Sequence, residues 1–405
     1  MSVANCATAP GQIVERDRLP ISGLLALALL GFVAILTETL PAGLLPDIGR
    51  SLNLSDAFTG QLVTSYALGS VAAAIPGAVL TRRWRRRSVL LLAVGGFLIF
   101  NTVTAVSSSY PVTLVARFMA GAAAGITWGL VPVYARQMVA SAQQGRAMAI
   151  ALVGTPLALS LGVPVGTWIG TVVGWRVPFA AMSAIALGLV GWVLIAVPDF
   201  PGQRRSEQRK SVSQVFLMPG IRPILAVVLA WMLGHNILYT YVAPYLRIAG
   251  LEDHVANVLL AFGVGALAGI WLVGLLVDRR LRQLVIASLV IFALVAAVLI
   301  FGATITWAIL PAALVWGLTF GGAATLLQTA SADTAGLDAD LAQSMIVTVW
   351  NAAIAGGGLA GGALLQIFGA ASFSPTVLLL AAIAALVAWA ARQHGFPVGP
   401  RSVRA

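Results

Sequence analysis

LPISGLLALALLGFVAILTETLPAGLL, residues 19–45, is an apolar run that carries one charge, Glu38. A helix needs roughly 20 apolar residues to cross the hydrocarbon of a bilayer, and this run is also too long to be the core of a signal peptide. The 18 residues before it are polar and end in Glu15, Arg16, Asp17 and Arg18. Similar runs recur at 57–80, 88–106, 110–134, 146–170, 175–198, 220–248, 254–277, 283–302, 306–330, 341–368 and 374–391, twelve in all. With 60% of 405 residues apolar and only 9% charged, the chain lacks the charge to wrap such a core in water; soluble domains run at about 25% charged. The composition reads as an all-α membrane protein of twelve transmembrane helices with no room for a soluble enzyme domain.

The net charge of +11 comes from 23 Arg and one Lys against 13 acids. In a soluble protein it would suggest nucleic acid; here the basic residues fall in short gaps between apolar runs, as topology signals do, so no nucleic-acid partner is expected. With the N-terminus cytoplasmic, the inner gaps and tails hold 20 of the 24 bases, and the outer gaps only Arg50, Arg176 and Arg247. Both termini are therefore expected inside a bacterial cytoplasmic membrane, with lipid as the surrounding partner. The single cysteine, Cys6, allows no intrachain disulfide and no paired-cysteine metal site.

Residues 77–85, GAVLTRRWR, are echoed by residues 274–282, GLLVDRRLR, at an offset of 197. Upstream, LPDI at 45–48 is echoed by APYL at 243–246, at an offset of 198. Nearly equal spacing of both matches implies two pseudo-symmetric six-helix bundles. The expected organisation is a tail at 1–18, a bundle at 19–198, a cytoplasmic linker at 199–219, a second bundle at 220–391 and a tail at 392–405.

These features resemble the major facilitator superfamily. The loop after the second run is similar to its Gly-x-Leu-x-Asp-Arg-x-Gly-Arg signature, with Thr81 in place of the Asp and Trp84 in place of the Gly. Leu114 to Arg117, followed by Gly121 and Gly125, resembles its fourth-span arginine motif; Gly162-Val163-Pro164-Val165-Gly166 resembles the fifth-span motif of its exporters. The stretch Thr37 to Pro46 is similar to the first span of twelve-span drug:proton antiporters of the arabinose-efflux-permease type. The resemblance implies alternating access, a monomer, multidrug or other small-molecule efflux, and a fifth helix that seals the interface between halves.

Glu38 and Arg117 are the only charges placed within the hydrocarbon. An ionised carboxylate there costs several kcal/mol, so Glu38 must face a cavity, pair, or be protonated. Helical rise puts both residues about 10 Å from the outer end of their helices, opposite in sign and similar in depth. The expectation is a proton-coupling pair facing each other across a cavity, or else a permanent structural ion pair. In the seventh run His235, Asn236, Tyr239 and Thr240 share a helical face, with His235 able to titrate near neutrality. Gln328, Trp350 and Asn351 are further polar or aromatic candidates for substrate contact. Trp128, three turns from Arg117, is either a stacking platform or an interface anchor. A buried Asn or Gln serves equally as glue between helices.

Among the inner loops, Arg82 and Arg85 on one side and Asp338 and Asp340 on the other suggest a latch between halves, with Asp278 and Arg279 forming its counterpart near Arg146. Gly356 to Gly361 satisfies the spacing of a dinucleotide fingerprint but sits inside a span, where it reads as helix packing. No P-loop, metalloprotease or serine-hydrolase motif is present, so no enzyme and no cofactor is expected, and ion gradients remain as the energy source. Proton-coupled export of a drug-like compound, sugar or nucleoside is the expected function. Uptake of a sugar or nucleoside, or a channel or non-transporting sensor, are the alternatives.

Overall fold

The structure, a computed structural model, describes residues 19–81, 83–140, 143–202, 212–302 and 304–399. Twelve long helices follow one another. The first half holds α1 Ile21–Gly43, α2 Asp56–Thr81, α3 Arg86–Val106, α4 Tyr110–Gln137, α5 Arg146–Val173 and α6 Arg176–Ala196. The second holds α7 Ile221–Thr240, α8 Glu252–Val277, α9 Arg279–Phe301, α10 Trp307–Ala335, α11 Leu341–Phe368 and α12 Ala370–Ala390. Among the described residues eleven of them are long and apolar enough to cross a membrane. The remaining one, α2, is 26 residues long; Asp56 and Gln61 lie at its start, and beyond them it carries no charge up to Thr81.

The first apolar run does not stay one helix. α1 ends at Gly43, and a separate helix, Leu45–Leu52, follows. Pro46 opens that helix, Asp47 sits in its first turn and Arg50 in its last, each complementing the helix dipole. Asn53 closes it at φ 56°, in the left-handed region that Asn tolerates. The second half behaves similarly: α7 stops at Thr240, and a short helix, Val242–Leu246, takes up the end of its run.

α5 is interrupted by a π turn, Ala158–Gly162, between Pro156 and Pro164. A proline inside a helix clashes with the carbonyl four residues earlier, and the widened turn makes room for it. The hydroxyl of Ser160 donates to the Pro156 carbonyl at 2.7 Å. The glycine face of α5 packs within its own half: Gly162 lies against Phe32 and Gly166 against Leu40 of α1, and Gly170 against Leu44 at its C-cap. Contact with the other half runs through the π turn, where Leu159 and Ser160 meet Gly263 of α8, and through the stretch Val163–Val173 after it.

Helix contacts repeat the internal symmetry. Gly69 of α2 meets the Phe118 carbonyl of α4, and Gly121 and Gly125 of α4 meet the Tyr66 and Ser70 carbonyls of α2. In the second half Gly265 of α8 meets Leu314, and Gly317 and Gly321 of α10 meet Phe262 and Ala266. Each contact recurs at an offset of 196 residues. Glycine lets two backbones approach where any Cβ would collide. Through this correspondence Arg117 matches Ala313, and Tyr66 matches Phe262.

The basic loops are tied within their own halves. Arg85 pairs with Asp199, whose other carboxylate oxygen accepts the Arg87 backbone N–H at 3.2 Å. Partial burial pushes the Asp199 carboxyl up, but the Arg85 hydrogen bond, the Arg87 amide and both guanidinium charges outweigh it and hold it below its ordinary value. The acid absent at Thr81 is thus supplied from beyond α6, and the Thr81 hydroxyl turns back to the Gly77 carbonyl. In the second half Arg282 donates to the carbonyls of Ala388, Trp389 and Phe396 at 2.7–2.8 Å, capping the end of α12. Arg279 is exposed beside the kink at Arg280. Asp338 is the N-cap of the helix Ala339–Phe368 that α11 belongs to, and it has a partner of its own. Arg82 and the side chains of Asp278 and Asp340 lie outside the described residues. The latch expected from Arg85 thus has Asp199, in the same half, as its partner.

Candidate functional site

The two halves meet on the side away from the basic loops. Asp56, at the start of α2, pairs with Arg247 after α7 at 3.0 Å. Gln61 of α2 donates to the Tyr241 hydroxyl and to the Gly358 carbonyl, both at 3.3 Å, while the Tyr241 hydroxyl donates to Gly358 at 2.8 Å and Ala57 at 3.4 Å. Below this polar layer Val63 and Ala67 of α2 pack on Ile354 and Ala355 of α11. A second seam joins Gly43 of α1 and Thr167 of α5 to Leu259 of α8.

Beneath the seal lies Glu38, 7% exposed. Arg117 is fully buried beside it, but the charged pair expected from the sequence does not form. The guanidinium donates weakly to two backbone carbonyls, Leu62 at 3.4 Å and Glu38 itself at 3.5 Å, and one terminal nitrogen has no partner. It lies over the rings of Tyr66, at 4.8 Å, and Phe179, at 5.8 Å; ring faces attract a desolvated cation. The Tyr66 hydroxyl donates to the Ala34 carbonyl of α1 at 2.9 Å, anchoring that platform. The arginine is thus held by carbonyls and rings, leaving the carboxylate without a fixed cation among the described residues. At the residue before Glu38, Asn101 of α3 donates to the Thr37 hydroxyl at 2.9 Å, with its own carbonyl oxygen unpartnered and buried.

Across the seam from Glu38, Tyr239 of α7 lies within electrostatic reach of Thr39 and Glu38. It belongs to an aromatic cluster in the second half. His235 stacks on Phe320 at 3.5 Å and 9°, and its ring also neighbours Tyr239, Phe262 and Trp316 at 5.2–5.7 Å. Trp350 of α11 closes the far side, 6.2 Å from Phe320. The Trp316 indole N–H donates to His235 Nδ1 at 3.1 Å.

Of the residues singled out from sequence, the structure brings together Glu38, Arg117, His235, Tyr239 and Trp350. Asn236 and Asn351 each donate one amide N–H to the carbonyl four residues back in their own helix, at Met232 and Val347. Gln328 is exposed, in line with Trp316, Phe320 and Ala324 at four-residue spacing, so one stripe of α10 runs from the aromatic cluster towards the basic end. Trp128 packs in the core of the first half beside Gly31, apart from the cluster. Sequence reasoning missed Tyr66, Asn101, Phe262, Trp316 and Phe320; the i, i+4 stripe of α10 was the available signal.

The family model of the Major Facilitator Superfamily matches residues 27–339. The chain belongs to that superfamily. It is 29% identical over 369 residues to the inner membrane transport protein YdhP of Escherichia coli K12, covering 90% of this chain and 94% of the relative. It is 28% identical over 377 residues to the transcription regulatory protein OpdE of Pseudomonas aeruginosa, covering 89% and 92%. It is 26% identical over 358 residues to the purine ribonucleoside efflux pump NepI of Shigella sonnei, covering 86% and 89%. This member of the superfamily is a multi-pass membrane transporter of small molecules and not an enzyme.

Proposed function

We propose that this transporter exports a small organic molecule from a bacterial cell in exchange for protons, with both termini on the cytoplasmic side. Glu38 is the proton carrier, and the observation that carries the reading is its position: a membrane carboxylate with no fixed cation, facing Tyr239 across the seam between halves. A proton arriving from outside neutralises Glu38 and loosens its hold on substrate; loss of that proton to the inside restores binding. Arg117, held by two carbonyls and two rings, keeps a positive field beside the carboxylate without locking it. The seal between Asp56, Gln61, Tyr241 and Arg247 closes the outer side, which supports a cytoplasm-facing state in which substrate enters along the α10 stripe. Rocking one half against the other about this seam exchanges the accessible side. A potential of 100 mV contributes about 2.3 kcal/mol per charge moved, and one pH unit about 1.4 kcal/mol, enough together for a gradient of several hundredfold.

The aromatic cluster and its position opposite an acid suit flat, neutral or singly cationic compounds, a class that includes nucleosides and many drugs. Proteoliposomes with an imposed pH gradient, screened against drugs, sugars and nucleosides, test the reading beside Glu38→Gln. Collapse of the gradient by one compound class in wild type, absent in the variant, is the expected result. Flux that ignores the proton gradient, or full proton coupling retained in Glu38→Gln, overturns it. The likeness to OpdE, a transcription regulatory protein by name, supports a second reading, a sensor that binds without transporting; saturable binding with no flux would establish that reading instead.

A further inference from the structure

His235 makes one hydrogen bond among the described residues, and its direction is informative. The indole of Trp316 has an N–H and no acceptor nitrogen, so it can only donate. At 3.1 Å it obliges His235 Nδ1 to accept, which places the ring proton on Nε2. Nε2 itself has no partner among the described residues, yet it is not sealed away as the unpartnered Tyr239 hydroxyl is. Phe320, Tyr239 and Phe262 fix the plane of the ring, so the free N–H points in one direction. Apart from the buried Tyr239 hydroxyl and the Trp316 indole N–H, the cluster around it is hydrocarbon. The position in the first half that corresponds to Trp316 by the 196-residue offset is Ala120, so this arrangement belongs to the second half alone.

We propose that Trp316 is a positioning residue: its indole N–H holds His235 as the Nε2–H tautomer, and that N–H makes the site select flat ligands bearing a hydrogen-bond acceptor on the ring edge. The selectivity rests on the aromatic cluster being the substrate site; the tautomer does not. An unpaired donor held in one direction discriminates against a ligand lacking the matching acceptor, because the donor then stays desolvated and unmatched.

Two measurements on the full-length protein in nanodiscs separate these statements. The chain has three histidines, so nitrogen NMR of ring-labelled histidine, assigned with His235→Asn, reads the tautomer directly. Wild type is expected to show an unprotonated, hydrogen-bonded Nδ1 and a protonated Nε2 at His235. Trp316→Phe keeps an aromatic ring and removes the donor; both resonances should move towards the averaged values of exchanging tautomers. Phe320→Leu, which removes the stacked ring but keeps the donor, should leave the tautomer as in wild type. A protonated Nδ1 in wild type, or a spectrum unchanged by Trp316→Phe, overturns the positioning role. The second measurement is ligand-observed NMR titration with benzimidazole against indole, nearly equal in shape and differing in one ring acceptor. One hydrogen bond predicts roughly tenfold preference for benzimidazole in wild type, shrinking towards parity in Trp316→Phe. Equal binding of the two probes by wild type refutes the selectivity. Binding of neither refutes it together with the substrate-site reading, while the tautomer still reports on Trp316 by itself.

Discussion

Loosening the outer seal should shift the transporter towards its outward-open state by an amount that the geometry sets. In Tyr241→Phe the hydroxyl loses two contacts to the first half, Gln61 at 3.3 Å and Ala57 at 3.4 Å. Both are long, so each is worth the lower end of the hydrogen-bond range, about 0.5 kcal/mol. The bond to Gly358 at 2.8 Å lies within the second half and is lost in both states, so it cancels. Adding Asp56→Asn removes the ion pair with Arg247, whose side chains are 20% and 52% exposed, worth about 0.5 kcal/mol at that degree of solvation. The sum is roughly 1.5 kcal/mol, or about a tenfold change in the ratio of states. Gln61 still reaches the Gly358 carbonyl, so the seal weakens without disappearing. The reporter is Val63→Cys, in the α2–α11 contact just below the seal, in a background where the single native cysteine, Cys6, is serine. Labelling of whole cells by a membrane-impermeant maleimide should be about tenfold faster in the double variant. An unchanged rate, with equal labelling of the unfolded chains, would refute the assignment of these contacts as the closure.

Three further outcomes follow from the same geometry. Gly121→Ala should depress yield and thermal stability by several degrees and weaken transport, because the new Cβ would collide with the Tyr66 carbonyl and push the Tyr66 ring from Arg117; detergent-solubilised melting curves check it. Arg117→Lys should fold but lose transport by at least about tenfold, since an ammonium cannot span two carbonyls and stack on two rings as a guanidinium does; flux at unchanged expression measures it. Asp199→Asn should speed tryptic cleavage of the 83–87 loop several-fold. In wild type the carboxyl is held below its ordinary value, so the tie to Arg85 is complete above about pH 4 and is lost only as pH falls through that lowered value. Cleavage should therefore be flat from about pH 6 to 8, and a change across that window would assign the loop's order to another group.

Glu38 and Arg117 could be read from sequence because a charge inside an apolar run is a one-dimensional signal. Their relation could not, since whether a guanidinium reaches a carboxylate or the carbonyl of the same residue depends on side-chain direction. The aromatic cluster was half legible. His235 and Tyr239 announce themselves as polar atoms at helical spacing, whereas Phe262, Trp316 and Phe320 look like any membrane-helix aromatics until three helices are brought together. Loop partners were the least legible. Arg85 and Asp199 are 114 residues apart, and equally good acids stood on the other half. The offsets of 197 and 198 found in two short motifs were close to the 196 that governs the glycine contacts, because backbone-to-backbone approach tolerates neither insertion nor a larger side chain.

Arg85 finds its acid at Asp199, and Arg282 its carbonyls at the end of α12, so each half carries its own tie at the basic end. The glycine pairs of α2 with α4 and of α8 with α10 make each complete in packing as well. The molecule is then a heterodimer that happens to be written on one strand of peptide. Two separately translated chains, divided within residues 203–211, should recognise each other through the seams between the halves, and a gene cut there should still yield a working transporter.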